Sequence, residues 1–475
     1  MVFKKYRSMK TKKVWILFVV VLIILVLVAT NLKAHNVILN SVLDIPFKSL
    51  VRKASSDALF DNTAVPGDKV EHLRERPVMD NSLVNGVCRG KLDKTQIGQD
   101  GSWQPVDKSL TMFVISAYYI NTEKKIFIIG AKPMYKVTVI CQLWTLRDIT
   151  GEIEMRETDA NVGTPNDPAG PLPYTAVTFE CKLNGNDTPS FVSLVTHPCQ
   201  NALNLLSIKN ASKVDTYQRH FTVCLAPIFS YRSAHEFIEW VELNRILGVD
   251  KVIGYDYSIS EDVKNILKFY SERNFTEIIP WRLPFPVQHH IHYFGQTVAL
   301  NDCLFRTKQI SEFMSNIDLD EYIIPHSGNA FNWTQMMKDL DQSADGFIFK
   351  NTFFRKEWTN DEVEFKGKAK AKQLKLITLK HFDHETKIYH HMARSKYFVR
   401  PSRVNYILIH EIPNARVVKV TSQIGLLHHY RNWENYEDKQ QRVKDTTVLD
   451  KFEKALISNV ESVWKELKLE NLMLE

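Results

Sequence analysis

The chain has 475 residues, of which 44% are hydrophobic, and its formal net charge at pH 7 is +7. The first 13 residues carry six positive charges and no acid, so only about one net positive charge is left over the rest of the chain. This weak charge excludes an extended basic surface of the kind that binds nucleic acid or anionic lipid. The length allows two or three domains.

Residues 14–30 (VWILFVVVLIILVLVAT) form an uncharged stretch of 17 residues. As a helix this stretch would be roughly 25 Å long, which is enough for a thin bilayer. Because the positive charges precede it, we expect residues 1–13 to be a cytosolic tail and residues 14–30 a transmembrane signal-anchor, with the remaining chain in the lumen. A cleaved signal peptide is the alternative, although Ala29 and Thr30 make a poor cleavage site.

The residues beyond this stretch carry features of a lumenal protein. Four N-glycosylation sequons begin at Asn186, Asn210, Asn274 and Asn332. The six cysteines form an even set that predicts disulfides, but six cysteines allow 15 pairings and the sequence does not choose among them. The cysteines show no C-x-x-C spacing, so the sequence does not predict a zinc site.

Changes in pattern divide the lumenal part into three segments. Residues 31–105 lack sustained periodicity and are predicted to be a stem. Residues 106–215 are predicted to be a small β-rich domain with strands at 110–119, 125–129, 136–143, 176–181 and 191–196 and a loop at 163–173. Residues 216–475 are predicted to be an α/β domain.

Strands and helices alternate at the start of the α/β domain. Residues 221–229 form an apolar run typical of a buried parallel strand. Ser233 and Glu236 have the spacing of a capping box, which predicts a helix that ends at Gly248. A strand at 250–256, a helix capped by Ser260, a strand at 276–281 and a helix across 298–313 follow. This alternation predicts a doubly wound sheet with a ligand site at the carboxyl ends of its strands.

An acidic triplet, Asp318, Asp320 and Glu321, follows the last of these elements. On an extended backbone, Asp318 and Asp320 would share a face, and their mutual repulsion would be relieved by a hard divalent cation such as Mn²⁺ or Mg²⁺. Such an ion could bridge to the phosphates of a nucleotide. The alternative is a solvated acidic turn, which is the usual meaning of an isolated D-x-D.

The order of motifs in residues 215–435 resembles glycosyltransferase family 92. The matching segments are 223–229 (VCLAPIF) with Tyr231, 236–256 (EFIEWVELNRILGVDKVIGYD), Pro280-Trp281, 292–306 (HYFGQTVALNDCLFR), 318–325 (DLDEYIIP), 394–401 (RSKYFVRP), 405–410 and 427–431 (LHHYR). The resemblance implies a GT-A-type, Rossmann-like catalytic domain in a single-pass type II Golgi membrane protein. One departure is the polar pair Ser315-Asn316, where an apolar strand is expected.

The resemblance also implies roles for particular residues. Asp320 is the first candidate for direct contact with the metal, Asp318 for the ribose or for the metal through water, and His429 for a late metal ligand, with His428 as the alternate. Further candidates for the donor nucleotide are Asp256 for the uridine or ribose, Arg394, Lys396 and Arg431 for the diphosphate, and His292, Gln296, Asn301 and Asp302 for the pocket lining. Each of these has an ordinary structural alternative, such as a surface charge, a turn residue or a buried helix polar.

The implied activity is metal-dependent, inverting transfer of galactose from UDP-galactose to a glycan acceptor, with a β linkage to fucose or galactose of N-glycans. An inverting reaction needs a carboxylate base on the acceptor side. Glu411 is a weak candidate, and Glu357, Asp361, Glu362 and Asp383 are not ranked. Two other functions stay open, a metal-dependent phosphoryl transferase or hydrolase and a catalytically inert lumenal glycan-binding protein.

Overall fold

The computed structural model describes residues 83–84, 87–88, 92–146, 153–163, 172–185, 189–285, 290–358, 360–432 and 441–468. The predicted tail, the signal-anchor at 14–30, the first part of the stem and the sequon at Asn186 lie outside these ranges. No helix within them combines the length and the apolar character needed to cross a bilayer.

The β-rich part is a closed sheet. After the short pair β1 (Leu83–Val84) and β2 (Val87–Cys88), its strands are β3 (Gln104–Pro105), β4 (Phe113–Ile120), β5 (Lys125–Pro133), β6 (Ile140–Leu146), β7 (Ile153–Gly163), β8 (Tyr174–Lys182), β9 (Phe191–Val195) and β10 (Leu206–Asn210). The strand order is β10-β9-β6-β7-β8-β5-β4-β3, and β10 also pairs with β4, so the sheet closes on itself. Five of these strands match the sequence prediction. Strands β3, β7 and β10 are additional, and the pattern missed β7 because it is largely polar and only one of its residues is buried.

Residues 92–105 differ from the predicted stem because they pack on this closed sheet. The side chain of Gln104 exchanges two hydrogen bonds with the backbone of Leu205, at 2.6 and 3.2 Å. Asp100 accepts two hydrogen bonds from the Arg306 guanidinium, both at 2.6 Å. The folded part of the chain therefore begins well before residue 105.

The α/β part contains a seven-stranded sheet of order β13-β12-β11-β14-β19-β16-β20. Its first elements are β11 (Arg219–Tyr231), α1 (Ala234–Leu247), β12 (Lys251–Ile259), α2 (Glu261–Glu272), β13 (Thr276–Pro280), α3 (Gln296–Thr307) and β14 (Ser311–Ser315). Strands β11 to β14 are mutually parallel, as the alternating pattern predicts. Helix α1 ends at Gly248, whose φ of 105° is a left-handed conformation that favours glycine.

The remaining elements complete the seven-stranded sheet with β16, β19 and β20 and form a second sheet that the sequence analysis did not predict. They are β15 (Glu321–Pro325), α4 (Trp333–Met337), β16 (Gly346–Phe349), β17 (Asn351–Phe354), α5 (Lys368–Gln373), β18 (Asp383–Glu385), β19 (Lys396–Val399), β20 (Val417–Lys419), β21 (Gly425–Tyr430), β22 (Arg442–Lys444) and α6 (Thr447–Glu466). The five-stranded sheet has the order β15-β21-β17-β18-β22.

Two local predictions in the α/β part are wrong. The helix predicted across residues 298–313 ends at Thr307, and strand β14 follows it, with the hydroxyls of Ser311 and Thr222 2.6 Å apart between neighbouring strands. The capping box is absent, because the Ser233 side chain makes no capping hydrogen bond and Glu236 pairs instead with Lys356. The Ser260 cap is confirmed, since its hydroxyl accepts a hydrogen bond from the Val263 N–H.

Each disulfide lies within one of these parts, and buried polar contacts join the two parts. The disulfides predicted from the even cysteine count are Cys88–Cys199, Cys141–Cys181 and Cys224–Cys303. Asp302 in α3 is buried and accepts hydrogen bonds from Ser116 and Tyr118 of the closed sheet, from Tyr255 of β12 and from Arg306. Asp302 is therefore a structural link between the two parts and not a lining residue of a donor pocket.

Candidate active site

Asp318 and Asp320 lie in a turn between β14 and β15, at the carboxyl end of the parallel strand β14, and Glu321 is the first residue of β15. Ser315 and Asn316, the polar pair before it, are buried, and the Asn316 amide donates to the Ile409 carbonyl. The backbone N–H of Glu321 donates to the Asp318 carbonyl, which closes the turn. Asp318 and Asp320 are therefore held on a turn, and not on the extended strand that the sequence analysis assumed.

Three contacts fix this turn in place. The indole N–H of Trp240, in α1, donates to the carbonyls of Asp318 and Glu321, at 2.9 and 3.3 Å. The Glu321 carboxylate accepts a hydrogen bond from the Asp318 N–H at 2.9 Å. The Tyr430 N–H donates to the Asp320 carbonyl at 2.8 Å. The backbone of the turn is thus positioned from both sides, which leaves the Asp320 side chain 37% exposed.

Strand pairing brings His429 to this turn across 109 residues of sequence. Strands β15 and β21 are antiparallel, and their register places Glu321 opposite His429. His429 Nε2 lies 3.2 Å from Asp320 Oδ2, and His429 Nδ1 lies 3.2 Å from Glu321 Oε1. Its neighbour His428 points to the other face of the sheet, as alternation along a strand requires. The structure therefore brings together Asp320 and His429, and not His428.

Lys396 neutralises the other side of the turn. This side chain is fully buried, and its Nζ lies 3.0 Å from Asp318 Oδ2 and 3.4 Å from Glu321 Oε2. Asp318 does not join Asp320 and His429 in a group whose ligand atoms all lie within 4.8 Å of one another. Asp318 is thus held by Lys396.

Burial and neighbouring charges shift the pKa values of the ionisable groups in the site. Burial raises the pKa of Asp320, but the neighbouring His429 and Arg431 outweigh burial and hold the pKa below its usual value. Burial lowers the pKa of His429, but Asp320 and Glu321 outweigh it and raise the pKa. Burial raises the pKa of Glu321 to about 7, although the Lys396 ammonium opposes this. The pKa of Asp320 is thus lowered and that of His429 raised, the directions that favour a carboxylate–imidazolium pair at 3.2 Å.

A cavity of about 740 Å³ opens over this turn. Its lining includes Tyr231 at the end of β11, Glu236 in α1, the acidic triplet, Arg394, His429 and Arg431. His292 and Gln296 also line it, as predicted for the donor pocket. Four carboxylates and two guanidiniums around one cavity suit a cation and a phosphorylated ligand together.

Four predicted site residues stand apart from this lining. Lys396 lies behind the turn, against Asp318. Asp256 is in β12, where its carboxylate accepts a hydrogen bond from the Ile259 N–H. Glu411 is not among the lining residues, whereas its neighbour His410 is. Asn301 is buried, and its side chain bonds to the backbone of Thr297 and Ile407.

The sequence profile of glycosyltransferase family 92 matches residues 219–467. The chain belongs to this family. Among Caenorhabditis elegans proteins, β-1,4-galactosyltransferase galt-1 is 29% identical over 114 residues, which are 23% of this chain and 27% of that protein. Glycosyltransferase family 92 protein F13G3.3 is 23% identical over 262 residues, which are 52% of this chain and 50% of that protein. The chain thus spans about half or less of the length of these relatives.

Solved structures resemble this family 92 chain only distantly. The crystal structure of S. aureus TarS 1–349 in complex with UDP-GlcNAc is 12% identical, with 46% of this chain and 60% of that chain covered and a TM-score of 0.26. The structure of glucosyl-3-phosphoglycerate synthase from Mycobacterium tuberculosis with Mn²⁺, UDP and glucosyl-3-phosphoglycerate is 14% identical, covers 52% and 80% of the two chains and has a TM-score of 0.21. Overlaps of this size carry no conclusion about the site.

The sequence analysis missed two charged residues, Glu236 and Lys356, that line the 740 Å³ cavity. Glu236 lines it and forms an ion pair with Lys356, with Nζ–Oε distances of 3.1 and 3.2 Å. Lys356 and Asn432 also line a second cavity of about 450 Å³, which therefore adjoins the first. The capping-box pattern concealed Glu236, because a glutamate three residues after a serine at the start of a helix already has a structural explanation. No pattern in the sequence marks Lys356.

Proposed function

We propose that this protein is a metal-dependent inverting glycosyltransferase that moves galactose from UDP-galactose to a glycan acceptor. Membership of family 92 supports the reaction class, and the similarity to a protein named β-1,4-galactosyltransferase supports the sugar. The observation that carries the proposal is the convergence of Asp320, His429, Arg394 and Arg431 on one cavity. The proposed acceptor is fucose or galactose of an N-glycan, joined in a β linkage.

The residues present fit a divalent cation. Two neighbouring ligands of an octahedral ion, each about 2.1–2.2 Å from it, lie roughly 3 Å apart. The observed distance between Asp320 Oδ2 and His429 Nε2 is 3.2 Å. An oxygen ligand with one imidazole suits Mn²⁺ or Mg²⁺, with Mn²⁺ preferred. When bound, the ion supplies Lewis-acid stabilisation of the departing diphosphate.

The chain's own residues bind and orient the donor around that ion. Arg394 and Arg431 line the same cavity and are placed to grip the diphosphate oxygens. Lys396 holds the Asp318 carboxylate, which is 38% exposed, in position for the ribose or for a metal-bound water. Trp240 and Glu321 keep the turn in one conformation, so little reorganisation is needed when the donor binds.

The acceptor hydroxyl requires a base that can approach from the cavity. Glu236 is the lining carboxylate that lies outside the acidic turn among the residues that the structure describes. We therefore assign Glu236, in place of Glu411, as the first residue to test as the base. Its partner Lys356 reaches the adjoining cavity, which offers space for an acceptor beside the donor.

We also propose that the protein is a single-pass type II membrane protein of the Golgi with its catalytic part in the lumen. The charged tail and the apolar stretch at 14–30 support this orientation. Three disulfides, with all six cysteines paired, support an oxidising compartment.

The test is a transfer assay with a panel of radiolabelled nucleotide sugars and glycan acceptors, with Mn²⁺ and with EDTA. We expect acceptor-dependent transfer from UDP-galactose that EDTA abolishes. Asp320→Asn, which keeps the shape of the side chain and removes its charge, should lower transfer by about 100-fold or more. The exposed helix residue Asp262 offers a matched control, since Asp262→Asn should leave transfer unchanged.

The same assay separates the alternatives. Release of free phosphate or sugar without an acceptor would indicate the phosphoryl transferase or hydrolase. Binding of UDP or glycan without turnover, unchanged in Asp318→Asn and Asp320→Asn, would indicate an inert binding protein. Transfer that survives both EDTA and Asp320→Asn would overturn the metal-dependent reaction.

A further inference from the structure

A second group of potential metal ligands lies on the opposite face of the β15–β21 strand pair from the donor cavity. His326 directly follows β15, His428 is in β21, and Asp445 lies between β22 and helix α6. Because side chains alternate along β21, His428 faces away from the site that His429 enters. The three residues are 102 and 17 positions apart in sequence, which is why no ligand spacing reveals them.

The three ligand atoms lie close together in a mostly buried position. His326 Nε2 and His428 Nε2 are 2.8 Å apart, and they lie 3.6 and 3.5 Å from Asp445 Oδ2. The exposed fractions of the side chains are 17% for His326, 0% for His428 and 9% for Asp445. All three atoms lie within 4.8 Å of one another.

Hydrogen bonding alone explains only part of this arrangement. Two facing imidazole nitrogens at 2.8 Å share one proton, which satisfies that contact. The two contacts to Asp445 Oδ2 are longer than hydrogen bonds of ordinary length. The other carboxylate oxygen, Oδ1, accepts the Thr447 N–H at 2.9 Å, which fixes the carboxylate with Oδ2 toward both rings.

The spacing matches one face of a zinc tetrahedron. With Zn–N and Zn–O distances of about 2.0–2.2 Å, the ligands of a tetrahedral ion lie roughly 3.3–3.5 Å from one another. The two nitrogen–oxygen distances have this length, and the two rings need to separate by only about 0.5 Å to reach it. Two imidazoles and one monodentate carboxylate are zinc ligands, with a fourth position for water.

We propose that His326, His428 and Asp445 bind a zinc ion that fastens the start of helix α6 to the β15–β21 strand pair. The nearby ammonium of Lys451 does not oppose this, because it donates to the carbonyls of Pro325, Ser327 and Ala330. Its ligands are two histidines and one aspartate, so the absence of C-x-x-C spacing does not bear on it. It is independent of the proposed transferase reaction and of the cation at Asp320.

The test is elemental analysis of the purified full-length protein after dialysis against metal-free buffer without a chelator. We expect about one zinc per chain in the wild type and less than about a tenth of that in His326→Gln and in Asp445→Asn. Asp445→Asn retains an oxygen for the Thr447 N–H, so its fold should be preserved. The exposed His197 offers a matched control, and His197→Gln should keep its zinc.

Two further measurements make the result decisive. Asp320→Asn should retain zinc, and loss of zinc in that variant would place the ion in the donor cavity and overturn the proposal. Chelation should lower the thermal midpoint of the wild type and leave that of Asp445→Asn unchanged. A wild-type protein that contains no zinc, even after expression with added zinc and refilling with Zn²⁺, would also overturn it, whether or not the protein transfers galactose.

Discussion

The fully buried ammonium of Lys396 compensates two carboxylates of the acidic turn, Asp318 and Glu321. Burial lowers the pKa of Lys396, but the two carboxylates outweigh it and raise the pKa, so the side chain stays charged. A charge in such a position orients its partners at the cost of its own desolvation. The resemblance predicted that Lys396 contacts the donor diphosphate. In the structure Lys396 instead holds Asp318.

The first prediction tests this coupling by a double-mutant cycle. Lys396→Met removes the buried ammonium that compensates Asp318 and Glu321 and should lower the free energy of unfolding by about 3–5 kcal/mol. Adding Glu321→Gln should recover about 1–3 kcal/mol, because the uncompensated charge is removed. Urea unfolding of the two single variants and the double variant measures the interaction. Strictly additive effects would show that the two side chains do not interact in the folded protein.

The second prediction concerns His410, which lines the donor cavity and whose Nδ1 lies 2.9 Å from the Ser395 carbonyl. Burial, and then the Lys396 ammonium, lower the pKa of His410 from 6.5 to about 4. The folded protein thus binds this proton more weakly than the unfolded chain. The stability that depends on a neutral His410 is present in full above pH 6.5. It is lost as the pH falls from 6.5 to 4, by up to about 1.36 kcal/mol per pH unit.

Unfolding measured between pH 7 and pH 4, in the absence of donor, checks this dependence. His410→Asn keeps a donor for the Ser395 carbonyl and cannot take up the proton, so its stability should fall less steeply over that range. The control His197→Gln alters an exposed histidine and should follow the wild type. Identical slopes for the wild type and His410→Asn would contradict the assignment.

At the scale of elements, helix α1 connects the sheet to the acidic turn. Phe237, Trp240, Val241, Asn244 and Leu247 of this helix are all buried. Trp240 does more than fill the core, because its indole N–H bonds to the carbonyls of Asp318 and Glu321. The position of the turn therefore depends on a helix some 80 residues earlier in the chain.

The third prediction separates this positioning from ordinary packing. Trp240→Phe and Trp333→Phe each remove a buried indole N–H that donates to backbone carbonyls, and both tryptophans are fully buried. Each change should cost about 1–3 kcal/mol of stability. Only Trp240→Phe should also lower kcat, by about tenfold or more, because only Trp240 holds the acidic turn. Equal losses of kcat in both variants would assign the effect to general destabilisation.

The sequence predicts the features of this chain that depend on nearby residues and misses those that depend on contacts between distant residues. The parallel strands and the Ser260 cap follow from local patterns in the sequence, and both are present. Residues 311–315 (SEFMS) are a short segment with three polar residues, and their pairing with β11 and β19 makes them a strand. The contacts of His429 and Lys396 with the turn, and those of Lys356 with Glu236, arise from strand register and loop packing, which no sequence spacing encodes.

At the scale of the whole molecule, the closed sheet and the α/β part are joined by more than a linker. Asp302 is bound by residues of both parts, and its pKa is lowered because Arg306 and the surrounding hydroxyls outweigh burial. Aromatic side chains of the closed sheet pack on α3, with the Tyr118 and Phe305 rings stacked at 5.2 Å. Residues 79–475 accordingly form one compact unit. The family 92 segment is therefore expected to need the closed sheet in order to fold.

The last prediction concerns where a secreted catalytic unit can begin. A chain that starts at residue 79 keeps the Cys88–Cys199 disulfide and the contacts of Asp100 and Gln104, so it should be secreted and active. A chain that starts at residue 106 loses all three and leaves Cys199 unpaired. A disulfide that closes a loop of this length contributes about 4–5 kcal/mol in the chain-entropy model, so the shorter chain should be secreted poorly and should melt at a lower temperature.

A third chain distinguishes the causes of that loss. Starting at residue 106 with Cys199→Ser removes the free thiol but does not restore the lost packing. If misoxidation of Cys199 were the whole effect, this chain would recover full secretion. We expect it to stay defective, because Asp100 still cannot pair with Arg306 and the backbone of Leu205 still lacks Gln104. Normal secretion and melting of the chain that starts at residue 106 would instead restore the predicted stem boundary at residue 105.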